Sequence, residues 1–462
     1  MRRMTGHPDD SAGRSSGDSS GPSYDPAAEV VDICRDLIRI DTSNYGDQEG
    51  PGERKAAELV AALLDEVGIE ARLIEGEPGR TNVVAQWGGR WGDPAGQRGG
   101  QQGGLLLHGH LDVVPAAAED WQVHPFSGEV RDGFVWGRGA IDMKDFDAML
   151  LSVVRARARA GAVPERPITL CFTADEEAGG HRGAERIVEE HPDELAHCTE
   201  AVGEVGGFST QVRGRRLYLI EAAEKGMAWV RLTARGRAGH GSLLNRENAI
   251  TALAAAVARI GTHEWPVRLT PTMRTLLATV AELAGTEATP DNSEALVEEF
   301  GEAARMIGAV LRNTLNPTML QAGYKVNVIP TEATAHVDGR FLPGYEDEFW
   351  ATFAELCGDD VSYEALSHQP PWETPYDGAL VDSMTRALVA EDPDALVAPY
   401  LLSAGTDAKH FRTLGMRSYG FVPLRMPEDV DFSSLFHAVD ERVPVDGLEF
   451  GARVLDRFLD QV

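Results

Sequence analysis

The chain has 462 residues, 43 Lys+Arg against 73 Asp+Glu for a formal net charge of −30, and 43% hydrophobic with 25% charged residues. That mix builds a folded core and excludes bulk disorder, and the length fits two domains or one domain carrying a large insertion. The acidity argues against nucleic acid and anionic membrane surfaces as partners, and no stretch reaches the ~18 consecutive apolar residues of a spanning helix.

Residues 1–26 are rich in Ser, Gly and Asp and carry no apolar run, so they read as a disordered leader rather than a secretory signal. Helical periodicity covers 27–39 and 52–67, with Gly68 as a C-cap. The glycine-rich 88–104 contains neither GxxxxGK[ST] nor a helix-opening GxGxxG and is expected to be a surface loop. Apolar runs at 105–107, 168–173 and 217–220 predict buried strands between helices, the mark of an α/β fold with a mostly parallel sheet. From Glu224 the rhythm changes. A strand at 227–234 and an Ala-rich helix at 246–260 precede acidic helical material over 271–312. Strands at 324–328 and 333–341, turning at Pro330, a helix at 346–357 and a strand at 361–366 follow. This β-α-β-β-α-β order predicts a ferredoxin-like sandwich inserted into the main domain. The α/β character returns with a helix at 378–390, a turn at 403–405 and a last helix at 445–459. The expected organisation is a leader 1–26, a main domain in two segments, 27–224 and 370–462, and an inserted domain 225–369. Cys34, Cys171, Cys198 and Cys357 lie far apart with no CxxC spacing and read as buried thiols of a reducing cytoplasm.

Ligand-type side chains gather just after the predicted strands. The first runs into His108-Gly109-His110-Leu111-Asp112, the second into Asp175-Glu176-Glu177, and Glu204 stands among glycines at 201–207. In an open α/β sheet, ligand sites form beyond the carboxyl ends of the strands, so three such ends say more than any one motif. Gly137-Arg138-Gly139-Ala140-Ile141-Asp142 opens an amphipathic helix, and His437 lies in Phe436-His437-Ala438-Val439-Asp440-Glu441. Singly these pieces are weak. A histidine after a strand is more often a hydrogen-bonded structural residue, and paired glutamates are usually a solvated face. The HxHxD spacing adds weight, because Asp112 falls on the same side of an extended segment as His110 and a carboxylate commonly holds the second ring nitrogen of a metal-bound histidine.

HGHLDVVP, GRGAIDMKD, DEEAGG, GEVGG and SLFHAVDERV, in this order and at these separations, resemble the di-zinc amidohydrolases. That family includes carboxypeptidase G, aminoacylase, acetylornithine deacetylase and succinyl-diaminopimelate desuccinylase. The resemblance covers about 27–460. It implies two metal ions bridged by Asp142, one also held by His110 and Glu204, the other by Glu177 and His437. A nitrogen/oxygen set without thiolate suits zinc, with cobalt or manganese as substitutes. Glu176 would be the general base, since neighbouring side chains diverge and Glu177 is already engaged. The resemblance further implies a cis Asp142–Met143 peptide and His240 as an oxyanion donor from the lid. Asn327 and Arg340 would bind a substrate carboxylate, and Gly405 would let the 403–408 loop approach the substrate. Taken bare, His240 reads as structural and Arg340 as a strand-surface ion-pair partner.

The expected activity is hydrolysis of an amide or peptide bond beside a free carboxylate, on a small peptide or an N-acyl amino acid. The resemblance implies that a dimer would form through the inserted domain 225–369, a lid or dimerisation domain, with His240 reaching the partner's site; the alternative is a monomer whose own lid closes to bring His240 in. The competing class is a non-catalytic metal-binding regulatory protein, against which a base at Glu176 speaks. A GxSxG elbow and an HExxH segment are both absent, which disfavours serine hydrolases and single-zinc proteases of that type.

Overall fold

The computed structural model describes residues 24–46, 50–88, 103–430 and 432–462. Most of the expected leader (1–23) and of the glycine-rich loop (89–102) lies outside the described residues.

A ten-stranded sheet organises the larger unit. Its centre is parallel: Ile168–Thr173, Gly104–His110, Cys198–Gly203 and Arg417–Gly420 run side by side in that order. The first two, expected from the sequence at 168–173 and 105–107, are buried along their whole length, as unbroken apolar runs require. Antiparallel strands Ala71–Glu77 and Arg80–Trp87 extend one side. On the other side Arg215–Glu224 pairs parallel with Leu396–Leu402 and antiparallel with Phe208–Val212. Helices Val30–Ile38, Lys144–Arg159 and Val445–Leu459 pack together on one face. Lys144 is wholly buried and donates to the carbonyls of Leu37 and Ile40, both at 3.0 Å, which pins the start of its helix under the chain's first helix.

A second, smaller core belongs to a four-stranded antiparallel sheet in the order Thr314–Ala322, Glu332–Phe341, Gly226–Arg235, Val361–Gln369. Helices Ala249–Gly261 and Glu346–Cys357 cover one face through Val230, Leu232, Leu253, Phe349 and Phe353. Numbered within this unit the strands run 2-3-1-4, the ferredoxin-like arrangement that the element order implies. The opposite face carries Met227, Trp229 and their cross-strand neighbours.

Two local expectations fail. The second strand of the small sheet is Thr314–Ala322 and not 324–328. Tyr324 and Val326 project into solvent, and only Val328–Ile329 forms a short ladder, with Gly239–His240. The misreading has a plain cause: Thr314–Ala322 is a mostly exposed edge strand interrupted at Pro317, so it shows no apolar alternation. The helical material after 270 also packs elsewhere than its place inside the insertion suggests. Helix Pro271–Ala284, capped by the Thr270 side chain, lies on strand Leu396–Leu402 and buries Met273, Leu276, Leu277 and Val280 in the large core. All four cysteines are buried and free. Among the described residues no helix is long and apolar enough to cross a membrane.

Because Leu277 is wholly buried in the main core, Leu277→Ala should destabilise the protein by about 2–5 kcal/mol in urea unfolding; a loss below about 0.5 kcal/mol would make that helix a surface appendage.

Candidate metal centre

Three adjacent parallel strands end at the same edge of the large sheet, and each delivers a ligand-type group. His110 is the last residue of its strand, opposite Thr173 in register, and the Asp175–Glu177 turn follows Thr173 after the single residue Ala174. Glu204 follows Gly203 at the end of the next strand. Asp142 arrives on the loop ahead of helix Lys144–Arg159, and His437 on the loop ahead of the final helix.

These groups converge on Asp142. His110 Nε2 lies 3.0 Å from Asp142 Oδ1 and 3.2 Å from Glu204 Oε2. On the other side, His437 Nε2 lies 3.2 Å from Asp142 Oδ2 and 3.1 Å from Glu177 Oε2. The two oxygens of one carboxylate thus face two separate imidazole–carboxylate pairs. Glu176 and Glu177 diverge as neighbours must: Glu176 joins His110 and Glu204, and Glu177 joins His110 and Asp142, each trio with its donor atoms within 4.8 Å of one another. The Asp142–Met143 peptide is cis, as the resemblance implies, and so is Glu204–Val205, which no sequence signal announced.

The electrostatics are those of a cation site. Burial, followed by the nearby charge of Glu204, raises the Glu176 carboxyl well above the usual carboxylate range. Burial pushes Glu204 up to about 7, with His110 pulling the other way. Hydrogen bonds that the Asp142 and Glu177 carboxylates accept hold the His437 imidazole up at about 10. Several carboxylates packed this tightly repel one another unless positive charge joins them. One buried oxygen, Glu177 Oε1, has no protein partner. The donors are imidazole nitrogens and carboxylate oxygens with no thiolate, a set that fits zinc, cobalt or manganese. His110, Glu204, Asp142, Glu177 and His437 therefore form a donor set able to hold two ions across the shared carboxylate.

Asp112 does more than the HxHxD spacing suggests. Its carboxylate accepts from the backbone N–H of Glu176 and of Glu177, both at 3.1 Å, and from Asn44 Nδ2 at 2.8 Å. His110 Nδ1 is 3.0 Å from the Asp112 backbone oxygen and 3.6 Å from its carboxylate. The ring is thus oriented chiefly by the main chain, while the carboxylate holds the glutamate turn. A buried ion pair performs the equivalent task for His437. Arg138 donates to Glu441 at 2.6 Å and to the carbonyls of His437 and Ala438, and Glu441 accepts from the Ile141 N–H at 2.9 Å. Both residues stood inside recognised motifs, but nothing in one sequence assigns them to each other.

A cavity of about 860 Å³ opens over the cluster between the two units. Arg340 and Gly405 line it, together with Met227, Trp229, Gln369 and Lys409. Glu302, Arg305 and Met306 of the 271–312 segment reach it too, a contribution without any signal in sequence. Arg340 is braced by Asp338 through Nε at 2.8 Å and Nη2 at 3.2 Å, so it both ion-pairs along its strand and faces the cavity. His240 and Asn327 do not line it. They sit together on exposed backbone, where Gly241 N–H donates to the Asn327 carbonyl at 3.0 Å and His240 Nδ1 lies 2.8 Å from Ser242 Oγ.

The chain is similar to known proteins along most of its length. The N-fatty-acyl-amino acid synthase/hydrolase PM20D1 of Xenopus tropicalis is 31% identical over 459 residues, 91% of this chain and 83% of that one. Aminoacylase-1 of Homo sapiens is 26% identical over 432 residues, 92% of each chain. Among solved structures, an M20 family metallo-carboxypeptidase from Sulfolobus solfataricus superposes with a TM-score of 0.69 at 19% identity, covering 94% of this chain and 99% of that one. A family model, peptidase family M20/M25/M40, matches residues 106–461. With its fold shared and that model spanning most of its length, the chain belongs to peptidase family M20/M25/M40.

Proposed function

We propose that this chain, an amide- or peptide-hydrolysing enzyme by its family, cleaves an amide bond beside a free carboxylate, with an N-acyl amino acid or a small peptide as substrate. The observation that carries the reading is the pairing of His110 with Glu204 and of His437 with Glu177 across the two oxygens of Asp142. Under this reading those five residues hold two divalent ions, zinc by preference. Bound there, the ions supply Lewis acidity, which makes a water acidic and polarises the scissile carbonyl. Glu176 stands beside this set, with its backbone fixed by Asp112, and takes the proton of the attacking water and later returns it to the leaving nitrogen. Arg340, braced by Asp338, keeps outer guanidinium N–H groups for the substrate's carboxylate. Gly405 offers close backbone approach at the cavity wall. The names of the relatives in sequence, an N-fatty-acyl-amino acid synthase/hydrolase and an aminoacylase, favour the N-acyl amino acid side of the choice.

The reading extends to a homodimer formed through the smaller unit, in which His240 and Asn327 complete the partner's cavity. What supports it is their exposed position outside their own cavity and the exposed apolar side chains beside them, Leu244, Tyr324 and Val326. The four buried, free thiols fit a reducing compartment such as the cytoplasm.

A hydrolysis screen of N-acyl amino acids and dipeptides with added zinc, cobalt or manganese, read by ninhydrin, should show metal-dependent amine release; none on either class would sink the proposal. On the substrate so found, Glu176→Gln should keep its metal content and lose about 10²–10⁴-fold in turnover, and near-native turnover would remove the base from this residue. Asp112→Asn should weaken metal affinity by about 10–100-fold in competition with a chelator, because it loosens both the glutamate turn and the His110 strand end. For the shared site, inactive His240→Ala and inactive Glu176→Gln should regain activity when mixed under subunit exchange. Exchange without recovery would place His240 outside the partner's site.

A further inference from the structure

Glu204 stands one residue beyond the end of its strand, where the sheet ladder no longer aims a side chain. The strand ends at Gly203, whose carbonyl accepts from the Phe421 N–H at 2.7 Å. That bond fixes the peptide plane before Glu204. The plane after Glu204 contains the Val205 N–H, and with both peptides planar the direction of the Glu204 side chain follows from how these two planes are set. The second plane is held by something other than the strand.

Two buried side chains hold it. Glu221 Oε2 accepts from the Val205 N–H at 3.1 Å, and the Tyr400 hydroxyl donates to the Val205 carbonyl at 2.9 Å. Glu221 and Tyr400 are wholly buried and stand opposite each other in the parallel pairing of Arg215–Glu224 with Leu396–Leu402. Both backbone groups of Val205 are thus held from one place in the sheet. Val205 lines the cavity, and beside it Glu204 Oε2 lies 3.2 Å from His110 Nε2. Gly420, paired with Glu221, gives the room: a Cβ there would collide with Glu221 Oε2 and with the Val205 carbonyl.

Stability gives no reason for an acid at position 221. Leu219, Ile220, Ala222 and Ala223 around it are apolar and buried, and burying a carboxyl costs free energy that an apolar side chain does not. What the acid supplies is an acceptor for one N–H, in the peptide next to a ligand-type residue. We propose, on the reading above in which Glu204 and His110 hold one ion, that Glu221 and Tyr400 are positioning residues for that ion. They fix the Val205 backbone and through it the direction of the Glu204 carboxylate, while the ion of Glu177 and His437 does not depend on them.

Metal content after dialysis against graded chelator tests this when each half of the centre is disabled in turn. In a His437→Ala background, which leaves the ion of His110 and Glu204, Glu221→Met should weaken zinc binding by about 10–100-fold. Glu221→Gln, which keeps the size and an acceptor oxygen, should bind nearly as tightly as the background. Tyr400→Phe keeps the buried ring, loses one hydroxyl and should cost about 2–10-fold; it carries the comparison if Glu221→Met does not fold. In a Glu204→Ala background, which leaves the other ion, either substitution should change affinity by less than about twofold. Equal weakening in both backgrounds would make Glu221 and Tyr400 general supports of the fold, and that result, or no weakening in the first background, would overturn the proposal. Wild type that binds two ions, and one after Glu204→Ala, upholds the metal reading whatever Glu221 does. Wild type that binds none would overturn both.

Discussion

Mutual repulsion among buried carboxylates is the constraint around which this molecule is arranged. Asp142, Glu176, Glu177 and Glu204 meet within a few ångströms of two imidazoles at the edge of a buried sheet. Removing a charge from water costs several kcal/mol per ion even after relaxation, so such a cluster persists only where partners compensate it and the backbone allows no escape. Parallel strands supply that rigidity. Three of them, fully bonded to one another, end together, so the side chains that follow are fixed relative to each other before any packing above them is considered.

The supporting groups act on the backbone more than on the ligand atoms. Asp112 captures two consecutive N–H groups of the glutamate turn, and the Arg138–Glu441 pair ties the loop of Asp142 to the loop of His437. These two loops are separated by about three hundred residues, and their junction sets one half of the candidate metal centre. A buried pair of this kind contributes little net stability compared with an apolar replacement, whereas breaking it leaves a charge without a partner. Its value here lies in geometry.

The smaller unit acts as a roof. Its helices cover one face of its sheet, and the face left over presents Met227, Trp229, Arg340 and Gln369 to the cavity. The helices after residue 270 are chemically part of the main core and still send Glu302, Arg305 and Met306 to the same cavity. The cavity wall therefore draws on three stretches of chain, while the ligand-type cluster draws on the sheet edge and the loops of Asp142 and His437.

The sequence by itself determined sheet strands at 105–107 and 168–173, the terminal helix Val445–Leu459 and the ferredoxin-like order, and its motifs carried the resemblance that named the residues around Asp142. It could do so because buried strands need unbroken apolar runs, and because five short motifs in a fixed order carry a family resemblance that no single one carries. The edge strand Thr314–Ala322 escaped that reading, since a half-solvated edge carries no apolar alternation. Only the tertiary structure decided that the 271–312 helices join the large core, since an amphipathic stripe shows that a helix is buried and not against what. The same holds for Arg138 with Glu441 and for the turn held by Asp112. Each is a contact between residues distant in the chain, and distance in the chain carries no record of distance in space until packing brings the two together.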